Sequence, residues 1–153
     1  MILLEKIIML RSVNIFQEVS DELIAEIASK TTEFRVNKGD YIIKKGEVDD
    51  VLYIIVEGKV IIKEDENILA ELGSQQIFGE LAVLSPEPRT ASVVAVEDCL
   101  LLKLHRQDLV EHLSININLA MGIIQQLCNL IRLMTKQIHE LTSHQHQISK
   151  LGH

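Results

Sequence analysis

The chain changes its hydrophobic period twice. Ile2 to Arg11 carries apolar residues at helical spacing, interrupted by Glu5 and Lys6. Asn14 to Val19 reads as a link. Ser20 then caps a second helix whose first turn holds Asp21 and Glu22, acids that suit the positive end of the helix dipole. Leu23, Ile24, Ile27 and Ala28 form its apolar face. From Thr31 the period shortens. The runs TEFRV, YIIKK, VLYIIVEG, VIIKE, ILAEL, ASVVAVED and LLLKL predict strands, and NKGD, KGEVDD, EGK, DEN and LGSQQ predict the turns between them. One segment, Gly79 to Leu84, breaks this rhythm and has the composition of a short helix.

After His105 the pattern turns helical again. RQDLVEHL forms a short helix, and Ser114 or Asn116 starts a much longer one. Along it, Ala120, Ile124, Leu127, Ile131, Met134, Ile138, Leu141, Gln145 and Ile148 recur in alternating steps of four and three. This is a heptad seam sustained for about four heptads, with the polar Gln145 setting register. A flanking stripe of Ile123, Leu130 and Leu133 suits packing on the chain's own body. Such a helix is too long for so small a body to cover, so the seam predicts a homodimer. Past Ile138 the chain becomes polar and rich in histidine, and fraying is expected there.

The expected architecture is therefore mainly β with helices. A jelly-roll-like β-roll over 31–105 is flanked by N-terminal helices over 1–30 and by C-terminal helices over 106–153. The last helix serves as lid and coiled coil.

Composition narrows the function. The net charge is −7 and the sequence pI about 5.3, which argues against nucleic-acid binding, since that needs a basic field. No uninterrupted apolar run reaches the length of a membrane span, and no direct membrane insertion is expected. Cys99 and Cys128 sit in apolar surroundings without zinc spacing. They read as small buried hydrophobes in a reducing, cytoplasmic compartment. His139, His144 and His146 do not share one helix face, and solvated surface describes them better than a metal site. No Ser–His–Asp signature, paired carboxylates or phosphate-cradling Walker loop is found, so no enzyme activity is expected.

Binding chemistry concentrates in FGELAVLSPEPRTASVV, residues 78–94, which holds both prolines of the chain. A helix that starts after Gly79 offers free backbone N–H groups, and glycine lets an anion approach them. Arg89 supplies a planar guanidinium for phosphate oxygens, and Thr90 a hydroxyl beside it. Glu80 suits a sugar hydroxyl, its charge balanced by Arg89. Pro86 and Pro88 stiffen the return of Arg89 to the helix start.

FGELAVL followed by PRTASV resembles the phosphate-binding cassette of cyclic-nucleotide-binding domains, the family of the catabolite activator protein, the protein kinase A regulatory subunit and the cyclic-nucleotide-gated channels. Upstream, KKGEVDDVLYIIVEGKV resembles the family's glycine–aspartate–tyrosine–glycine pattern, and the likeness runs from about Val13 to Leu113. The resemblance implies a cyclic nucleotide, cAMP or cGMP, as ligand, with no other cofactor and no metal. It implies that Glu80 binds the ribose 2′-hydroxyl and Arg89 the cyclic phosphate. The backbone of Gly79, Leu81 and Ala82 would line the phosphate site within a cassette of residues 78–93. Leu69 and Leu72 would lie near the base. Thr90 would touch phosphate or base, and threonine at this place is associated with acceptance of cGMP, although cAMP is the first expectation. The last helix would close over the base and form a dimer.

Two departures stand out. The chain stops after the long helix, where the activators continue into a helix-turn-helix. The short loop between VIIKE and ILAEL trims the base side of the site. A sensor module with an unidentified effector is the reading preferred here. Its alternatives are a dimerisation scaffold that binds no ligand, and a regulatory piece of a larger membrane or transcription-factor protein.

Overall fold

The computed structural model describes residues 1–151, apart from the side chain of Ala82; the last two residues assigned to the C-terminal helices, 152 and 153, lie outside the described residues. The N-terminal block folds as α1 (Leu3–Arg11), a 3₁₀ turn (Asn14–Phe16) in the expected link, and α2 (Asp21–Lys30). Ser20 caps α2, its hydroxyl accepting from the Leu23 N–H at 3.3 Å.

Eight strands follow in two four-stranded antiparallel sheets. They are β1 (Thr32–Val36), β2 (Tyr41–Ile43), β3 (Val51–Glu57), β4 (Val60–Glu64), β5 (Asn67–Leu72), β6 (Ile77–Phe78), β7 (Ser92–Ala95) and β8 (Cys99–His105). One sheet has the order β1-β8-β3-β6 and the other β2-β7-β4-β5. Seven strands fall where the apolar runs predict them. The two residues of β6 are too few to carry a period.

The central strands β3 and β8 read as unbroken apolar runs because both their faces are buried. Val51, Tyr53 and Ile55 point between the sheets with Phe78, Val93 and Leu101. Leu52, Ile54, Leu102 and Leu104 point the other way, into a layer built from Leu10, Phe16, Ile24 and Ile27 of the N-terminal block. One sheet is thus shared by two cores, and the helices are fixed to the roll through it.

The roll ends in α4 (Arg106–Leu113) and α5 (Ile117–Leu151). Asn116 starts α5, its side-chain oxygen accepting from the Leu119 N–H at 2.9 Å. Leu119 and Ile123 are buried in the helical core. At Gly122 the helix lies directly against the 3₁₀ turn, and a Cβ there would sit 2.4 Å from the Ile15 carbonyl oxygen. From Ile131 onward every described residue of α5 is exposed.

The helix α5 continues past Ile138, where the sequence predicts fraying, through Leu151 at 1.5 Å per residue, about 50 Å in all. An 18-residue window of α5 reaches a mean hydropathy of 1.2, long and apolar enough by length and composition to cross a membrane. Its apolar residues are spaced by polar ones such as Gln125, Gln126 and Asn129, which is why no unbroken run is visible. Of the two cysteines only Cys99 is buried, and Cys128 is half-buried on α5.

Gly122→Ala is expected to destabilise the fold by about 1–3 kcal/mol, because the new methyl meets backbone that cannot rotate away. A lowered melting temperature checks this, with faster hydrogen exchange in the first turns of α5 than in β3.

Candidate functional site

The cassette opens at the end of β6. Phe78 is fixed by stacking on Tyr53, ring centroids 5.0 Å apart. Gly79 then turns the chain with φ +90°, a left-handed conformation that glycine tolerates, and α3 (Glu80–Leu84) begins. A Cβ on Gly79 would lie 2.6 Å from the Val51 carbonyl oxygen and 3.4 Å from Arg89 Nη1. The glycine is therefore what lets the start of α3 and the guanidinium share one place.

Arg89 reaches that place through its backbone. Its N–H donates to Glu47 O and its carbonyl accepts from the Gly46 N–H, both at 2.8 Å. These two bonds to the β2–β3 loop position the arginine, beyond any stiffening by the prolines. Its side chain is nine-tenths buried. Nη2 donates to Asp49 Oδ1 and, at 3.2 Å, to Val51 O, while Nε is buried without a hydrogen-bond partner.

This corrects the expected charge balance. Asp49 is the ion partner of Arg89, and Glu80 forms no ion pair among the described residues. Glu80 is half-buried. Burial raises its carboxyl above the ordinary value, opposed by its own backbone N–H and by the nearby Arg89 charge.

Gly79, Glu80, Leu81, Arg89 and Thr90 all border one groove of about 700 Å³. Its floor is the second sheet, with Ile43, Ile62, Ala70, Leu72 and Val93; its far wall is α5, with Gln126, Leu127, Leu130 and Leu133. Ala82 belongs to α3. Leu69 does not line the groove. Side chains alternate along β5, so Ala70 and Leu72 face inward while Leu69 stands 53% exposed on the opposite face. Leu69 and Leu72, three apart, cannot both face one way on a strand, and this parity was the available signal.

Three further residues escape the sequence reading. Gln75 and Gln76, from the turn between β5 and β6, border the groove beside Leu72. Arg106, at the start of α4, donates through Nη1 to the Val83 carbonyl and so ties the end of α3 to the C-terminal helices.

The arrangement pairs a buried guanidinium and a helix start at one end with a trough of mainly apolar side chains. The model of the cyclic nucleotide-binding domain matches residues 33–116, more than half of the sequence. The chain belongs to the cyclic nucleotide-binding domain family. It is 43% identical over 89 residues to a cGMP-dependent protein kinase of Plasmodium berghei, covering 56% of this chain and 10% of that protein. It is 36% identical over 97 residues to a cyclic nucleotide-gated potassium channel of Rhizobium etli, covering 63% of this chain and 27% of the channel. Among solved structures it is similar to cAMP-bound PfPKA-R, with a TM-score of 0.75 and 25% identity, covering 91% of this chain and 48% of that one. The chain thus spans about a quarter or less of these curated relatives.

Because Glu80 has its carboxyl raised in the folded state, the native protein holds this proton more tightly than the unfolded chain does. Its contribution to stability is complete below the unfolded value of 4.5 and is lost as pH rises through the folded value. Glu80→Gln removes that loss. The ligand-free variant is expected to melt a few degrees above the parent at pH 7, with the gap closing toward pH 4.5 in thermal denaturation followed by circular dichroism.

Proposed function

We propose that this domain is a sensor of cyclic nucleotides, cAMP or cGMP, that converts binding into movement of α5. The observation that carries the reading is the convergence of Gly79, Arg89 and half-buried Glu80 on one groove that α5 walls off. The cyclic phosphate sits between the start of α3 and the Arg89 guanidinium, taking over donors that Asp49 occupies in the ligand-free state. Glu80 accepts from the ribose 2′-hydroxyl, with Leu81, Ala82 and Thr90 around the phosphate and Leu72 near the base. In this reading the chemistry is binding without bond cleavage. In this reading residues 1–30 brace the roll, 31–105 with the cassette at 78–93 hold the ligand, and 106–153 form the lid and coiled coil. The setting is cytoplasmic.

Any signal must come from different ligand affinity for two arrangements of α5. Phosphate drawn to α3 pulls on Val83, which Arg106 links to α4. The exposed seam supports a homodimer as the output element. Written as heptads, Ile124, Ile131 and Ile138 occupy a positions with Gln145. Ala120, Leu127, Met134, Leu141 and Ile148 occupy d. Isoleucine at a with mainly leucine-like residues at d favours two parallel strands, and Gln145 meets its counterpart only in that register.

The Arg89–Asp49 ion pair also favours a second reading, a scaffold in which the arginine is structural and no ligand binds. The two separate on a titration. As a sensor the protein gains about 2.7 kcal/mol of stability with cAMP or cGMP at about 100 times Kd. Arg89→Ala alone would leave Asp49 without its partner, so the test uses the double variant Arg89→Ala/Asp49→Asn. It is expected to fold and to gain nothing from either nucleotide. A parent protein whose melting curve ignores both nucleotides would leave the scaffold standing. Independently, Ile131→Asp with Ile138→Asp is expected to convert dimer to monomer in sedimentation equilibrium while nucleotide binding survives.

A further inference from the structure

We propose that Gln75 selects the base, its side-chain amide pairing with the N6 and N7 edge of adenine so that the site favours cAMP over cGMP. This rests on the nucleotide reading above and names the ligand within it.

The backbone gives the first indication. Among the described residues only Asp65 and Gln75 combine a side chain with a positive φ, 53° and 73°. Asp65 sits at the exposed tip of the β4–β5 hairpin, where aspartate is well tolerated. Gln75 has no such excuse, and glycine would relieve the steric cost. The turn itself is closed by other groups. Gln75 N–H donates to Ile55 O at 2.9 Å, Ile55 N–H to Gln76 O at 3.0 Å, and Gln76 N–H to Gly73 O at 3.2 Å. The Gln76 side chain is also committed, its Oε1 accepting from the Gly73 N–H at 2.7 Å. The Gln75 amide does none of this work. It is exposed at the groove and has no intramolecular hydrogen bond among the described residues.

Position gives the second indication. Arg89 is bonded to Val51 O and Gln75 to Ile55 O, four residues apart on the same extended strand. That separation is about 13 Å. A cyclic nucleotide with its phosphate on Arg89 and its ribose on Glu80 extends its base across such a span. The trough between is lined by Ile62, Ala70 and Leu72 on one side and Leu130 and Leu133 on the other. These groups suit the faces of a purine and offer nothing to its polar edge.

Chemistry then decides between the purines. A glutamine amide presents one donor group beside one acceptor. Adenine offers the complement, an N7 acceptor beside an N6 donor, whereas guanine offers N7 and O6, both acceptors.

Calorimetric titration of the full chain and of Gln75→Gly tests this, with cAMP, cGMP, 7-deaza-cAMP and the cyclic monophosphate of unsubstituted purine riboside. The parent is expected to bind cAMP between about 5-fold and about 150-fold more tightly than the other three. Gln75→Gly is expected to melt higher without ligand yet to bind all four with similar affinity, at the weaker level. Gln75→Asn, which keeps an amide but shortens its reach, is expected to lose the preference as well. If the glycine variant melts higher and keeps the parent's preference, the residue is only a turn residue and the proposal falls. A parent that prefers cGMP, or does not discriminate, also overturns it while leaving the sensor reading intact. A parent that binds none of the four overturns both.

Discussion

The site depends on holding a buried guanidinium beside the open end of α3. A charge nine-tenths buried is costly unless its donors are met. Here Asp49 and the Val51 carbonyl meet two of them and Nε stays unsatisfied. That partial satisfaction fixes much else. The β2–β3 loop must hold the Arg89 backbone through Gly46 and Glu47, Gly79 must lack a side chain, and Phe78 must be anchored by Tyr53. A fully satisfied arginine would be a structural strut. This arginine keeps Nε unmet and stands at the wall of an open groove.

Glu80 adds an opposing tendency. Its carboxyl is raised by burial while Arg89 pulls it down, so the ligand-free site keeps two acids near one arginine. Asp49 holds the ion pair and Glu80 bears the desolvation. In the proposed sensor, a phosphate would bring negative charge to the guanidinium and a ribose hydroxyl would bring a donor to the carboxylate.

The fold was legible where burial wrote it into the residues. Runs such as VLYIIVEG and LLLKL are apolar on both faces because β3 and β8 serve two cores, and the two prolines with Gly79 marked the cassette. Long-range polar geometry was not legible. Asp49 lies 40 residues from Arg89, and nothing local distinguishes it from Asp50, which instead faces His105 at 3.8 Å. Leu69 was misplaced because hydrophobicity was weighed before strand parity. Gln75 was invisible because a left-handed turn is read from glycine, and the sequence conceals strain when another residue occupies that conformation.

The long helix links these local facts to a possible output. Its first turns are locked, with Leu119 and Ile123 buried and Gly122 pressed on the Ile15 carbonyl, so motion cannot begin there without disturbing the helical core. Its outer part, beyond Leu133, is exposed at every described residue. Between them lies the short stretch from Gln126 to Leu133 that forms the groove wall. In the proposed sensor, a ligand filling the groove would act on α5 at the boundary between a fixed and a free segment, where a small tilt displaces the distal seam most. With one residue rising about 1.5 Å, the free segment, residues 134–151, is a lever of roughly 27 Å. Such a lever transmits only if its far end is held by something of comparable stiffness. In the proposed dimer, a parallel second copy of the same helix would meet that requirement with the isoleucine seam the sequence already carries.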